Sequence, residues 1–233
     1  MKLTSPFPLS KIGQKFGQNA VDIYANSGWK GHTAVDFEIP WGTQLPAFAD
    51  GIVYSVINKE NPDPMRYRAV FQLVQDGNNW YEVSYGHMND IYVLPGQYVK
   101  TGTILGTTGN TGDVWSGNRY IIKEEKLAGS KAGAHLHGPQ VRPVWRKKNI
   151  EGITLNTGYG VYRDAEGYCF QVKDPNNFYA GCVDPMPFLT NQPTELSPSD
   201  KVAVLAAQKL AMGDTKTANM LQAIVQLLKA WGY

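Results

Sequence analysis

Short apolar runs that alternate with polar positions start at about residue 48 and predict β-strands. Turn residues separate these runs, and the Asp-Gly-Asn-Asn stretch at 76–79 joins two of them. A later β-like stretch has a hairpin signal between Asp164 and Gly167. Short strands joined by tight turns are typical of antiparallel pairing. The segments are AFADGIVYSVI, RAVFQLVQDG, WYEVSYGHM, KTGTILGTTGNTG and, later, GYGVYRDAEGYCFQVKD.

The pattern changes near the carboxyl end of the chain. Pro193 and Pro198 bracket a Ser/Thr-rich run that predicts a linker, and apolar residues at helical spacing follow it. Ser199 or Asp200 can cap a first helix that Gly213 ends, which predicts a helical hairpin. The second helix carries an apolar stripe of Met220, Leu221, Ile224, Leu227, Leu228 and Trp231.

These patterns divide the chain into a β domain at 1–190, a linker at 191–198 and a helical accessory segment at 199–233. The apolar stripe of the accessory segment must be covered by the β domain, by another copy of the chain or by a larger assembly. Two polar stretches within the β domain, 113–134 and 138–156, are predicted to be irregular surface loops.

Composition favours a turn-rich β protein. The chain has 233 residues, 42% of them hydrophobic and 18% charged, which excludes a disordered chain. Lys and Arg number 22 against 20 Asp and Glu, so a dedicated nucleic-acid binder is not expected. The 24 Gly, 14 Pro and 13 Tyr agree with many short strands and turns.

No stretch approaches the roughly 20 apolar residues of a membrane span. The amino-terminal run lacks the apolar region of a secretory signal, so we expect a removed signal or another route out of the cell. Cys169 and Cys182 could close a loop, but their spacing leaves a disulfide open.

The four histidines fall in only three places. His32 stands four residues before Asp36, and His135 stands two residues before His137, so each pair can present two side chains on one face. Three of these groups could hold zinc. Two imidazoles and one carboxylate with an open fourth position form a catalytic rather than a structural zinc set.

Several motifs occur together in one order: TSPF, GHTAVDF, LPAFADGIVYSV, YGHM, GQYVKTGTILGTTGNTG and HLH. In this order the chain resembles the lysostaphin-type (LytM-like) zinc metallopeptidases, which are peptidoglycan endopeptidases. The resemblance runs from about residue 4 to 141, and CVDPMPFL at 182–189 is similar to the family's closing segment.

The resemblance implies a mainly β fold in which an antiparallel sheet forms a groove with one zinc ion at its floor. It implies that His32, Asp36 and His137 ligate the zinc. It also implies that His87 and His135 act on the substrate, one as general base and one as oxyanion partner, and the sequence leaves open which of them has which role. The implied substrate is a peptide cross-link or stem peptide of bacterial peptidoglycan, so the protein is expected to act on the cell wall.

Two departures from the family pattern affect the groove. The stretch 113–134 is longer than usual, which predicts a remodelled groove wall. Gly138 and Pro139 follow HLH where the family continues as a strand, and proline cannot donate to a ladder. We therefore expect that strand to end early or to lie at an edge.

Other residues allow two interpretations. A solvated basic loop is favoured over a contact with anionic wall polymers for Arg142, Arg146, Lys147 and Lys148. Trp29, Tyr85 and Trp115 are candidates for the groove, whereas Trp80 is predicted to lie in the core.

The main alternative is a non-catalytic wall-binding module, or a phage structural protein, that keeps the peptidase fold. A module that only binds has no need for three ligands and two further histidines, and all five are present. The hydrolase is therefore preferred, with a phage lysis or virion-associated enzyme as one setting that fits the missing signal.

Overall fold

The computed structural model describes residues 1–19, 24–148, 154–157, 160–191, 202, 206 and 215–230. The fold is mainly β with antiparallel pairing, as the alternation of apolar and polar residues predicts. The strands are β1 (Leu3–Ser5), β2 (Ile12–Gln14), β3 (Asp36–Phe37), β4 (Gln44–Pro46), β5 (Gly51–Ile57), β6 (Ala69–Asp76), β7 (Asn79–Gly86), β8 (Met88–Ile91), β9 (Tyr98–Val99), β10 (Ile104–Thr108), β11 (Trp115–Ser116), β12 (Arg119–Tyr120), β13 (Leu136–Lys147), β14 (Cys169–Val172) and β15 (Leu189–Asn191). The helices are α1 (Lys123–Leu127) and α2 (Thr215–Ala230), with 3-10 turns at Leu9–Lys11, Ala25–Ser27 and Met186–Phe188.

One large sheet organises the fold. Its strands follow the order β2-β3-β13-β7-β6-β5-β9, and β14 pairs with the second half of β13. A smaller sheet of order β4-β10-β8 lies beside it. The main core contains fully buried side chains from both sheets, among them Phe37, Leu45, Val83, Tyr85 and Leu105. Tyr85 therefore belongs to the core and not to the groove.

Strand β7 shows how one strand serves both faces of the sheet. Val83 and Tyr85 point into the main core, while Glu82, Ser84 and Gly86 lie on the opposite face because side chains alternate along a strand. A second apolar cluster of Tyr54, Leu73, Val144, Leu155, Phe170 and Val172 is separate from the main core. Trp80 packs against this second cluster, as its predicted core position requires.

Strand β13 corrects the prediction for 138–156. Instead of ending early or lying at an edge, it runs for 12 residues and pairs with β3, β7 and β14. The register with β7 shifts between His137 and Gln140, where β13 has one residue more than its partner. Pro139 lies in this bulge, so the sheet does not need the hydrogen bond that proline cannot donate.

The bulge also keeps polar side chains on one face. His137 and Gln140 are three residues apart, and on a regular strand they would point to opposite faces. The additional residue restores the alternation, so that Gln140 and Arg142 lie on the same face as His137, while Val141 joins the main core.

The stretch 113–134 is more regular than predicted. It contains the β11–β12 hairpin and helix α1, and Asn110 holds it by donating to the carbonyl oxygens of Ser130 and Ala132 at 2.9 and 3.1 Å. The ammonium of Lys126, which is almost fully buried, donates to the carbonyl of Gly112. The insertion is therefore a folded part of the domain.

The beginning of the chain meets the end of the β domain. Strand β1 pairs in parallel with β15, with Leu3 opposite Leu189 and Ser5 opposite Asn191. Both leucines are buried in the main core. The TSPF and CVDPMPFL motifs thus lie side by side although they stand at opposite ends of the domain sequence.

Helix α2 matches the second predicted helix, with Leu221 and Val225 buried and Met220 and Ile224 exposed at 59% and 37%. Of the first predicted helix, only 202 and 206 are described, and both are helical. The predicted linker lies outside the described residues except for Asn191, which ends β15. Within the described ranges, no helix is long and apolar enough to span a membrane.

Two open predictions are resolved by packing. Cys169 and Cys182 are both buried free thiols, so no disulfide closes the loop between them. The basic run is not a solvated loop, because Arg142 pairs with the buried Glu82 at 2.6 Å and Arg146 pairs with Asp164 at 2.7 Å. A strand position, and not a loop, gives these arginines their partners.

Candidate metal centre

All five residues predicted for the site line one cavity of about 1270 Å³. The cavity lies along the polar face of the large sheet. His32 precedes β3, Asp36 begins β3, His87 separates β7 from β8, and His135 and His137 stand at the start of β13. The sheet brings them together because Asp36 pairs directly with His137, and His137 pairs with Gly86.

Three ligand atoms form a tight triangle. The Nε2 atom of His32 lies 3.1 Å from Asp36 Oδ1 and 3.1 Å from His137 Nδ1. His137 Nδ1 lies 3.0 Å from the same Asp36 oxygen. Nitrogen and oxygen ligands at about 2.0–2.1 Å from a tetrahedral zinc ion are about 3.3 Å apart, so this triangle has the size of one face of such a site.

With both imidazoles neutral, hydrogen bonds cannot account for all three contacts between His32, His137 and the Asp36 carboxylate. His32 Nδ1 lies 3.3 Å from the carbonyl oxygen of Lys15, which can only accept, so the ring proton belongs on Nδ1. Nε2 then presents a lone pair to the Asp36 carboxylate, and that contact repels. A cation at the centre of the triangle removes the repulsion, so the donor set fits a zinc ion.

A second set of three groups can be drawn from the same cavity. His87, His135 and His137 also have ligand atoms within 4.8 Å of one another. This set shares His137 with the first and contains no carboxylate. The His32, Asp36 and His137 set is tighter, and it has the two-imidazole, one-carboxylate composition of a catalytic zinc site.

The electrostatics of the triangle favour a negative Asp36 and a neutral His137. Burial by itself would raise the pKa of Asp36, but the neighbouring imidazoles of His135, His137 and His32 outweigh it and hold that pKa well below its ordinary value. Burial lowers the pKa of His137, against the opposing effect of Asp36. Ionised carboxylate and neutral imidazole are the forms that bind a metal.

His87 and His135 are held by backbone carbonyls. His87 Nδ1 lies 2.6 Å from the carbonyl of Thr111, and His135 Nδ1 lies 2.8 Å from that of Gly133. Each ring therefore carries its proton on Nδ1 and has an unprotonated Nε2, which for His135 lies 3.6 Å from Asp36 Oδ2. The two ring centroids are 4.6 Å apart.

The backbone at His87 is unusual. Its φ of 56° lies in the left-handed region, where the chain turns from β7 into β8. Burial and the proximity of the His135 and His137 rings lower the pKa of His87 well below its ordinary value. The ring is therefore neutral at pH 7, as a proton acceptor must be.

A network of polar side chains lies behind the triangle at the floor of the cavity. Gln140 accepts from Ser84 Oγ at 3.0 Å and donates to Thr33 Oγ1 at 2.7 Å, next to His32. Beyond it, Arg142 donates to Glu82, whose other oxygen accepts from the Tyr54 hydroxyl. The buried groups of this network are paired, which fixes the strand positions behind the triangle.

Two tyrosines at the site were not predicted from the sequence. Tyr24 packs on His32 with ring centroids 6.0 Å apart and accepts from Gln14 Nε2 at 3.1 Å. Tyr67 packs edge-on against His87 at 4.9 Å. Burial and the Asp36 charge raise the pKa of each tyrosine, to about 12 for Tyr24, so both remain protonated. Tyr67 had one usable signal, because a glycine inside a strand, here Gly86, marks a close approach of another group.

The inserted stretch forms one wall of the cavity. Residues 113–118 line it, and Trp115 stacks against Tyr120 at 5.0 Å. Trp29, which is 37% exposed, also lines the cavity. Trp29 and Trp115 thus line the cavity, as the predicted groove positions require, and the stretch 113–118 forms part of its wall.

Comparison with known proteins finds one matching family profile and one similar curated peptidase. Residues 30–138 match the sequence profile of peptidase family M23. The peptidoglycan DD-endopeptidase ShyA of Vibrio cholerae is 36% identical over 83 residues, which cover 36% of this chain and 18% of that relative. The match thus spans less than a fifth of the relative's own length.

Solved structures of two peptidases are similar to this chain. The catalytic domain of lysostaphin from Staphylococcus simulans is 21% identical, with 76% of this chain and 90% of that chain covered and a TM-score of 0.43. The catalytic domain of the prophage-encoded M23 protein EnpA from Enterococcus faecalis, solved as a point mutant, is 29% identical, with 48% and 68% covered and a TM-score of 0.34. The matched profile contains all five clustered residues and ends one residue after His137, the last of them. Residues 30–138, which carry the whole His and Asp cluster, are thus similar in sequence to the peptidases of family M23.

Proposed function

We propose that this protein is a zinc-dependent endopeptidase that hydrolyses peptide cross-links or stem peptides of bacterial peptidoglycan. The observation that carries the proposal is the triangle of His32, Asp36 and His137, with ligand atoms 3.0–3.1 Å apart. His87 and His135 line the same cavity outside the triangle, with their Nδ1 protons held by carbonyls and with His135 Nε2 3.6 Å from Asp36 Oδ2.

A zinc ion held by the triangle would supply a Lewis acid for the peptide carbonyl and lower the pKa of water to about 7. The remaining chemistry belongs to side chains of this chain. His87 Nε2 and His135 Nε2 can each accept the proton of the attacking water, and the same atom, once protonated, can donate to the developing oxyanion or to the leaving amine. Both rings line the same cavity, in which a substrate would bind.

The substrate assignment is supported by the family and by the Vibrio relative, which is a peptidoglycan DD-endopeptidase. A peptide bond offers the carbonyl that this constellation can attack, whereas a glycosidic bond does not. The same chemistry would serve a phage lysis or virion-associated enzyme.

The test is metal analysis combined with release of free amines from purified peptidoglycan. The wild-type protein should hold zinc and release amines, and it should lose activity with a chelator and regain it with zinc. Asp36→Asn should hold much less zinc and release none. Asp174→Asn, which changes an exposed carboxylate elsewhere, is the matched control and should behave as the wild type.

The outcomes separate the competing functions. A wild-type protein that holds zinc and binds peptidoglycan but releases no amines would favour the non-catalytic wall-binding module. Full activity without zinc would contradict the metal site itself.

A further inference from the structure

The hydroxyl of Tyr67 occupies the space beside Gly86 that a side chain at this position of the large sheet would fill. Gly86 and His137 are directly opposite each other in the register of β7 and β13, so a side chain at 86 would project on the same face as the His137 imidazole. A Cβ atom built on Gly86 would overlap the Tyr67 hydroxyl oxygen. The phenol therefore fills that position, and its oxygen lies roughly 5 Å from the Cβ of His137, the usual spacing of such a pair.

The ring of Tyr67 is held firmly in this place. It meets the His87 ring edge to face, with centroids 4.9 Å apart and planes at 86°, and it meets the His137 ring at 6.5 Å. On its other side the backbone of Gly112 approaches closely, since a Cβ there would lie 2.9 Å from the Cβ of Tyr67. Tight packing of this kind fixes the direction of the hydroxyl without any hydrogen bond to it.

The Tyr67 hydroxyl faces the cavity with its proton uncommitted. Among the described residues none hydrogen-bonds this hydroxyl, and its oxygen is not sealed off in the interior. The neighbouring donors on β13 are engaged, because Gln140 donates to Thr33 and Arg142 donates to Glu82 and to the carbonyl of Ala180. A fixed donor without a protein acceptor, beside the candidate metal ligands, is placed for an acceptor on the substrate.

We propose that Tyr67 is a further catalytic residue, whose hydroxyl donates a hydrogen bond to the oxygen of the scissile peptide carbonyl. This inference rests on the proposed endopeptidase function. The carbonyl oxygen gains negative charge as water adds to the carbon, so a hydrogen bond from a fixed neutral donor strengthens in the transition state. The glycine at 86 is then required because the hydroxyl needs its space.

The test compares Tyr67→Phe with the wild type and with Tyr98→Phe, which removes a hydroxyl from an exposed tyrosine on β9. Tyr67→Phe should keep zinc content and melting temperature, because its hydroxyl has no partner among the described residues to lose. Its kcat on a soluble wall peptide should fall about 10²-fold with KM nearly unchanged. Gly86→Ala, which displaces the phenol, should lower kcat in the same direction, and Tyr98→Phe should match the wild type.

A second measurement separates this inference from the proposed function. Inorganic phosphate, titrated calorimetrically into the zinc-loaded proteins, presents an oxyanion without any need for turnover. Tyr67→Phe should weaken phosphate binding about tenfold, the worth of one hydrogen bond to a charged group. If the wild type cleaves no wall peptide but this difference appears, the proposed function is wrong and Tyr67 remains only a donor to a bound oxyanion. Equal kcat and equal phosphate affinity in zinc-loaded Tyr67→Phe and wild type would overturn the assignment, as would loss of zinc in the variant.

Discussion

His87 combines chemistry with a backbone conformation that few residues adopt. Its φ of 56° places the imidazole over the cavity at the junction of β7 and β8. Histidine, asparagine and aspartate tolerate this region better than most residues. A substitution that tests the ring must therefore preserve the turn, and asparagine does this better than alanine.

His87→Asn should retain zinc and the fold while hydrolysis falls by about two to four orders of magnitude, because a positioned proton acceptor is lost. Metal analysis and amine release from peptidoglycan measure the two effects separately. Zinc loss as severe as in Asp36→Asn would instead favour the set of His87, His135 and His137 as the metal ligands.

The same residues make the stability of the metal-free protein depend on pH. Burial lowers the pKa of His87 and of His137, whereas in the unfolded chain both have ordinary values of about 6.5. Below that value the unfolded chain takes up protons that the folded chain does not, so stability is complete above about pH 6.5 and declines as the pH falls. The lowered pKa of Asp36 acts in the same direction, but only below its ordinary value of about 3.8.

We therefore expect the melting temperature of the chelator-treated protein to fall between about pH 7.5 and about pH 5.5, which lie on either side of the ordinary histidine pKa of about 6.5. His87→Asn should show a smaller decline, because one of the two histidines is gone. A melting temperature that stays level or rises over this range would show that these rings are not neutral in the folded protein.

Among the elements, β13 contributes most to the site, because it carries His137 and pairs with both β3 and β7. The prediction that this strand ends early or lies at an edge was wrong. Pro139 predicts a strand end, since proline removes a ladder donor. A bulge changes that conclusion, because the extra residue takes proline out of the hydrogen-bonding register. A single sequence shows the proline but does not show which partner strand would accommodate it.

Gly138→Ala should destabilise the domain through this bulge. Gly138 has a φ of 142°, and an added Cβ would lie 2.6 Å from the carbonyl oxygen of Ser84. Gly42→Ala is the matched control, because Gly42 has a φ of 80° with open space around it. We expect losses of about 3 kcal/mol for Gly138→Ala and about 1 kcal/mol for Gly42→Ala. Urea unfolding measures both, and equal losses would mean that the bulge accommodates a side chain.

For the whole molecule, the sequence predicted which residues cluster in the cavity better than it predicted the path of the chain around them. The spacing of His32 and Asp36 and of His135 and His137 gave the candidate ligands, because a metal site needs few residues and they stand in short motifs. The place of Tyr67 against His87 was not predicted, since it depends on a contact between segments distant in sequence. The partners of Arg142 and Arg146 were missed for the same reason.

A chain that ends at residue 196 should still bind zinc and cleave a soluble wall peptide. The matched family profile ends at 138, and the described strands of the β domain end with β15 at Asn191. Removing the helical segment should at most lower the melting temperature or change the oligomeric state, which calorimetry and light scattering measure. If the shortened chain folds and binds zinc but does not cleave the peptide, the segment shapes the groove.

The parallel pairing of β1 with β15 has a mechanical consequence. A force that pulls the segment before Leu3 away from the segment after Asn191 acts along both strands in opposite directions, so it loads the hydrogen bonds of this pair together. Strands pulled apart sideways would instead release their bonds one after another. The buried Leu3 and Leu189 add a packed core contact that must break in the same event. The β domain is thus closed by a shear clamp, which resists extension of the domain through its first and last strands.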